Sequence, residues 1–433
     1  MATVTVDQAK LVLNAFASVF QNNLTSAEAV TWKQYDTEMN DRNSLTVSEQ
    51  VGPRYAVNTT TSGVADLTSG VQDSVFGSEQ FTVNKTFNTS MGWGDFVKIR
   101  DIGDARESTA IRNAATNLAE TIDQYILGVA QKASNNWLGT PANGVSTWTD
   151  FVQGYTRLKE EGVDDSELRG ILTFADKQAL GGSVLGYAAP DALVTGAYRQ
   201  GFTGEIGGLP VMFTQQLPSL TTGTRTNGAV NGANQNSNYR SVAVSASPGQ
   251  YLTQTIAADG FGANATIKAG EVFTIANVYA YDNRAQTTRS NLQQFTVVSD
   301  ATADGTGAVA ALRIFPAIVV PATGSGGDVN ANTAHATVGT VPADNAVITW
   351  VGSASTAYKP RFIIQKEAIQ VNTAPLIMPA TGHAMNKSLT KFPLTVRMWQ
   401  HSDFNTGNHS VRFDVALTAN VRERRRIVRI NGN

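Results

Sequence analysis

The 433-residue chain contains no cysteine. That excludes a disulfide framework, thiolate zinc sites and a cysteine nucleophile, and it fits a protein made in a reducing cytoplasm. Histidine is scarce, with four residues: His335, His383, His401 and His409. Charge nearly cancels, 33 Lys and Arg against 35 Asp and Glu leaving a net −2, which argues against a protein whose main task is gripping nucleic acid. Long apolar runs are missing too. The longest candidate, "FPAIVVPA" from Phe315 to Ala322, is short and proline-bracketed, far below the roughly 18 apolar residues of a spanning helix. No membrane partner is expected. The first residues, "MATVTVDQAKLVLNAFASVFQNN", lack a basic segment followed by an unbroken apolar core and do not read as a secretory signal.

What is present suffices for real cores: 42% of residues are hydrophobic and 8% aromatic. The length exceeds what one core usually supports, so two or three packed units are expected. Residues 6–22 place Ala9, Val12, Ala15, Phe16, Val19 and Phe20 on one helical face,. Such a helix closes its own domain, the commoner case, or docks on another chain. From about 47 to 100 a polar Gly-, Thr- and Ser-rich stretch, with extended pieces such as "QFTVNKTF" (Gln80 to Phe87), reads as a long β-loop. Loops with so little core usually have a partner or a function.

The clearest element follows. Asp104 and Glu107 stand at capping-box spacing. Behind them Ile111, Ala114, Ala115, Leu118, Ile122, Tyr125, Ile126 and Val129 recur at helical spacing as far as Ser134, where Asn135 and Asn136 stop the helix. About 30 residues make a rod of roughly 45 Å. A second helix is expected from Thr147, with Asp150 at the capping-box position, an inner face of Trp148, Phe151, Val152, Tyr155 and Leu158, and an end at Gly162,.

Between 222 and 352 the character changes. Only 13 of these 131 residues are charged, below the 16% of the whole chain. Period-2 runs alternate with turn chemistry such as Asp304-Gly305-Thr306-Gly307, and no convincing helix interrupts them. A small barrel or sandwich is expected. Its central stretch, "TIKAGEVFTIANVYAYD" (Thr266 to Asp282), reads as two strands or as one strand with a bulge,. After about 353 mixed α/β material returns, and the chain closes on an alternating strand.

Reactive constellations are few. His401, Asp403 and His409 form a loose H-x-D-x5-H whose spacing matches no ligand face, so a polar turn is the better reading than a metal site. "GFTGEIGG" (Gly201 to Gly208) lacks both dinucleotide spacing and a P-loop lysine. Asp164 and Asp165 read as an exposed acidic connector. No nucleophile, base and acid stand in supporting context; catalytic, metal and cofactor residues are therefore expected to be none. In the tail, Arg422, Arg424, Arg425, Arg426 and Arg429 invite a nucleic-acid reading. A strand with an arginine-lined solvent face is the alternative and is favoured over sequence recognition, while weak nonspecific contact with nucleic acid stays open.

Four stretches together resemble the major capsid protein of tailed bacteriophages, with the Hong Kong 97 capsid fold, in the short-tailed Salmonella-phage coat type that carries an inserted β-domain. They are "KTFNTSMGWGDFVKIRD" (85–101), "AYRQGFTGEIGGLPVMFTQQLP" (197–218), "IKAGEVFTIANVYAYD" (267–282) and the closing pair "FIIQKEAIQVNTAPLIMP" with "LTVRMWQHSDFNTGNHSVRFDVAL". The segment "LTAN" departs from the family's glycine-containing turn. The resemblance implies an α+β chain ordered as amino-terminal arm (1–46), extended loop (47–100), spine-helix domain (101–160), first part of an axial domain (161–221), inserted β-barrel (222–352) and closing strands (353–433). It implies a structural, non-enzymatic coat protein whose copies form hexamers and pentamers of an icosahedral head around double-stranded DNA. Assembly in the host cytoplasm, a scaffolding protein, a portal, a decoration protein and nonspecific DNA contact come with it. A secreted β-rich adhesin is the rival class. Candidate inter-subunit contacts are Val12, Phe16 and Phe20 of the arm, with Arg225 and Arg240 of the loop Gly223 to Arg240, whose alternative role is a flexible linker.

Overall fold

The computed structural model describes residues 6–35, 45–55, 74–93, 109–164, 166–185, 205–206, 208–245, 247–321, 328–402 and 409–432. Two units divide the chain. The first gathers 1–47, 81–129 and 369–420, and the second 48–80, 130–368 and 421–433.

In the first unit, helix α1 (Val6–Asn23) buries Ala9, Leu13, Phe16, Ala17 and Phe20, a stripe turned slightly from the expected one, with Val12 only half-buried. Phe16 lies flat on Phe413, ring centroids 3.9 Å apart, and stacks on Phe20 at 5.9 Å. Helix α2 (Thr109–Ala133) is the rod, 25 residues long; its expected capping pair, Asp104 and Glu107, lies outside the described residues. Its apolar face buries Ile111, Ala115, Leu118, Ala119, Ile122 and Ile126. Asp123, on the same helix, reaches across to the turn after α1 and accepts from the backbone N–H of Thr25 (2.9 Å) and Ser26 (3.1 Å) and from the Ser26 hydroxyl (2.5 Å). Burial pushes its carboxyl up to about 6, with those bonds pulling back.

A six-stranded sheet completes this unit. Thr31–Gln34 runs parallel to Ile369–Thr373, and His409–Val421, Thr395–Ser402 and His383–Ser388 follow. Thr86–Trp93 pairs with the long strand residue by residue, from His409 opposite Trp93 to Ala416 opposite Thr86. Residues 86–93, expected in the extended loop, therefore belong to the sheet.

The second unit holds a six-stranded host sheet in the order Asn136–Leu138, Ile427–Ile430, Arg361–Gln365, Leu168–Leu172, Leu209–Phe213 and Glu205–Ile206. Helix α3 (Trp148–Glu160) carries the expected capping box: Asp150 N–H donates to Thr147 Oγ1, and Thr147 N–H donates to the Asp150 carboxylate. Its buried Phe151 and Leu158 share a core with Leu168, Ile363, Val428 and Ile430. At Gly154 a Cβ would stand 2.5 Å from Ile430, so the bare backbone lets helix and sheet meet. Trp148 corrects the expected inner face, because it is 55% exposed at the first turn. The closing strand Ile427–Ile430 is buried at every residue instead of alternating, because it has a neighbour strand on each side and α3 above.

Within 222–352 six strands close into a barrel: Gly228–Val230, Gln254–Asp259, Val309–Phe315, Thr287–Val297, Val272–Asp282 and Val347–Trp350. Its core includes Phe261, Phe273, Ile275, Phe295, Leu312, Ile314 and Ile348. Val272–Asp282 is one strand with a bulge. Asn277 adopts φ 63°, and the pairing with Thr287–Val297 slips between Thr274 and Tyr279,. The region also contains helix, contrary to the expectation: the turn Tyr239–Val242 and the segment Asp328–His335. These pack a second cluster, outside the barrel, from Tyr239, Tyr251, Leu252, Phe315, Val319 and Ala331.

Candidate assembly surfaces

The loop Gly223 to Arg240 is neither a free arm nor a flexible linker. Gly223 N–H and Lys268 N–H both donate to Glu271 Oε1, and Arg225 Nε donates to Glu271 Oε2 at 2.5 Å. Arg225 also donates to Gly352 O (3.1 Å) and lies over the Trp350 ring at 4.1 Å. Arg225 is 4% exposed and Glu271 fully buried. Burial lowers the arginine's affinity for its proton, while Glu271 restores part of it. Further on, Gln235 bridges Asn231 O and the Ala257 backbone, Gly232 N–H donates to Asp344, and Tyr239 N–H donates to Asn332. The loop has no acid of its own; Glu271 of the same chain supplies one. Arg240 is the exposed arginine of this segment.

The arm candidates are corrected for the same reason. Phe16 and Phe20 are fully covered by their own unit, on Phe413 and each other, so neither offers apolar surface to a neighbour.

The tail arginines do not line a solvent face. Arg429 is fully buried: its guanidinium donates to Ser134 O (2.6 Å) and Gly270 O (2.7 Å) and lies 4.6 Å from the Trp137 ring centroid. Burial alone brings it down to about 9. Arg424, half-buried, donates to Gly249 O at 2.7 Å and is brought down to about 10 by burial. Arg425 pairs with Glu423 at 3.2 Å and Arg426 with Glu367 at 2.5 Å. Arg422 is the exposed member of the run.

Asp403, Asp165 and the His409 side chain lie outside the described residues, as does most of Gly201 to Gly208. Among the described residues no cluster of His, Asp or Glu is placed to hold a metal, and no helix is long and apolar enough to cross a membrane. The second unit displays large exposed apolar side chains: Tyr55, Phe76, Trp148, Phe174, Val244 and Val347 are each at least half exposed. Trp148 and Val152 line a groove of about 570 Å3 between α3 and the barrel strands, with Leu138 and Leu292 beside them. Periodicity offered no warning of Trp148, since the first turn of a helix sits at an apolar phase whether or not anything covers it.

The exposed apolar side chains of the second unit stand on well-packed supports. The chain belongs to the P22 coat protein family (gene protein 5), whose model matches residues 1–427. It is a major capsid protein that forms a phage head shell, a component of the virion and not an enzyme. Among solved structures, the capsid of Ralstonia phage GP4 is similar at TM-score 0.41 and 8% identity, covering 95% of this chain and 89% of that one. The capsid of the cyanophage P-SCSP1u has TM-score 0.41 and 9% identity, covering 94% and 86%. A capsid of an empty GTA particle has TM-score 0.40 and 7% identity, covering 94% and 95%. The family match carries the assignment. No curated protein sequence matches the chain.

Proposed function

We propose that copies of this chain assemble in the host cytoplasm as hexamers and pentamers that close an icosahedral head around double-stranded DNA. A scaffolding protein and a portal take part in assembly, and a decoration protein is a further partner of the outer surface. Membership of the coat family over nearly the whole chain carries this reading. The exposed Tyr55, Phe76, Trp148 and Phe174 support it, because apolar side chains on well-packed supports find cover in neighbouring copies,. DNA contact is nonspecific: the tail offers few free cations, most being spent on carbonyls and carboxylates of the same chain,. Arg240 and Val12 remain as contacts between copies; Phe16, Phe20 and Arg225 do not. Negative-stain microscopy of the purified protein tests the reading. Closed shells, polyheads or ring-like capsomers are expected, and a monodisperse monomer at high concentration would overturn it.

A further inference from the structure

Residues 45–55 and 74–80, the two described legs of the stretch expected as an extended loop, are both fastened to the inserted region. Along the returning leg the side chains alternate: Val75 packs on the cluster around Tyr239 and Tyr251, Glu79 is buried, and Phe76 faces outward. At Gly77 a Cβ would stand 2.6 Å from the Tyr251 ring, so glycine brings the leg against it. Ser78 N–H donates to Ala243 O (2.8 Å) and Ser245 N–H to Ser78 O (3.0 Å), a short ladder between the leg and the inserted region. The outgoing leg is held as well. Val51 joins the same cluster, and Arg54 N–H donates to His335 Nε2 at 3.2 Å. His335 lies flat on Tyr239 at 3.5 Å, and the Tyr239 and Tyr251 hydroxyls meet at 3.1 Å.

Glu79 stands at the centre of this arrangement, 3% exposed. Oε1 accepts from Gly249 N–H (2.7 Å) and from Gln80 N–H (3.1 Å), and Oε2 accepts from Tyr251 N–H (3.0 Å). Arg424 grips the opposite side of the same peptide region through Gly249 O. Burial raises the Glu79 carboxyl above its ordinary range, against the pull of those N–H groups and of Arg424. A buried carboxylate is costly, and an apolar residue would fill the space more cheaply. What the carboxylate adds is direction, two charge-assisted bonds that admit one register between leg and inserted region.

We propose that Glu79 is the positioning residue of a clamp by which residues 239–251 of the inserted region hold the extended loop at one angle for a neighbouring copy. The clamp rests on the geometry above; the neighbour rests on the proposed shell assembly. Hydrogen exchange on the full-length protein, followed by assembly measured by light scattering, separates the two. In Glu79→Ala the amides of 45–55 and 74–80 should exchange at least about tenfold faster, with strands Val272–Asp282 and Val309–Phe315 unchanged and shells forming more slowly. Glu79→Gln, which keeps one acceptor, should fall between. Unchanged exchange in the legs would overturn the clamp. Faster exchange in the legs with parental assembly would keep the clamp and overturn the presentation to a neighbour. If Glu79→Ala does not fold, Arg424→Gln loosens the same peptide from the other side, and parental exchange in the legs of that variant would also overturn the clamp.

Discussion

Two buried arginines in the second unit solve one problem differently. At the base of the barrel, Arg225 faces the carboxylate of Glu271 and rests on Trp350. In the closing strand, Arg429 rests on Trp137 in the same way, yet has two carbonyls where Arg225 has an acid. The first site exchanges hydration for a charge pair, the second for dipoles: the Ser134 carbonyl ends the rod helix, and the Gly270 carbonyl opens the barrel's longest hairpin. Charge pairing leaves Arg225 dependent on one residue. Carbonyl pairing makes Arg429 a tie among three segments, the helix end, the closing strand and the entrance to the barrel.

The sharpest way to break the comparison is Glu271→Ala. It strands Arg225 without a counter-charge and should cost about 3–5 kcal/mol, read by urea denaturation; a loss below 1 kcal/mol would mean that Trp350 and Gly352 alone satisfy the cation. Arg429→Met is expected to cost less, about 2 kcal/mol. Two carbonyls lose a donor at about 1–3 kcal/mol each, while removal of a buried charge offsets part of the loss. A loss equal to that of Glu271→Ala would erase the distinction between the sites.

A third measurement extends the comparison to a buried base without a counter-ion. Burial, with Arg54 and Arg425 nearby, holds His335 down to about 3, well below the ordinary value near 6.5. Between those values the unfolded chain binds a proton that the native state refuses. Stability is therefore full above about pH 6.5 and falls as pH drops toward 3, by up to about 1.4 kcal/mol per unit from this group. His335→Gln should flatten that limb of the stability curve, and an unaltered slope would show that other groups set it. The smallest effect is expected at the surface. Arg240→Ala should shift stability by less than about 0.5 kcal/mol and show only in contacts between capsomers, so a large loss of monomer stability would place Arg240 with Arg225.

Much of the architecture was legible because it rests on periodicity. The rod helix, the Thr147–Asp150 capping box and the alternating strands of 222–352 all express patterns within a few residues. The inserted barrel announced itself by its low charge, as a closed core with a narrow polar rim must. The candidate contacts were less legible. Phe16 and Phe20 were correctly placed on an apolar face, but a face does not name its cover, and Phe413 lies nearly 400 residues away in sequence. Arg225 looked unpaired because its acid comes 46 residues later, on the far side of a barrel strand pair. Glu79 gave no signal at all, since a glutamate in a polar loop reads as solvated until the N–H groups of Gly249 and Tyr251 are brought to it.

The amino-acid sequence by itself determined the class of the chain: no thiol chemistry, a long amphipathic rod, a β-region of low charge and the resemblance that the family match upholds. Those properties depend on composition and short-range spacing, which each segment carries alone. The tertiary structure decided which charges are spent and which are offered. Whether an arginine meets a carboxylate, a carbonyl or water depends on segments from 46 to 295 residues apart, and only the closed barrel and the finished host sheet bring those segments within the roughly 3 Å at which a hydrogen bond forms.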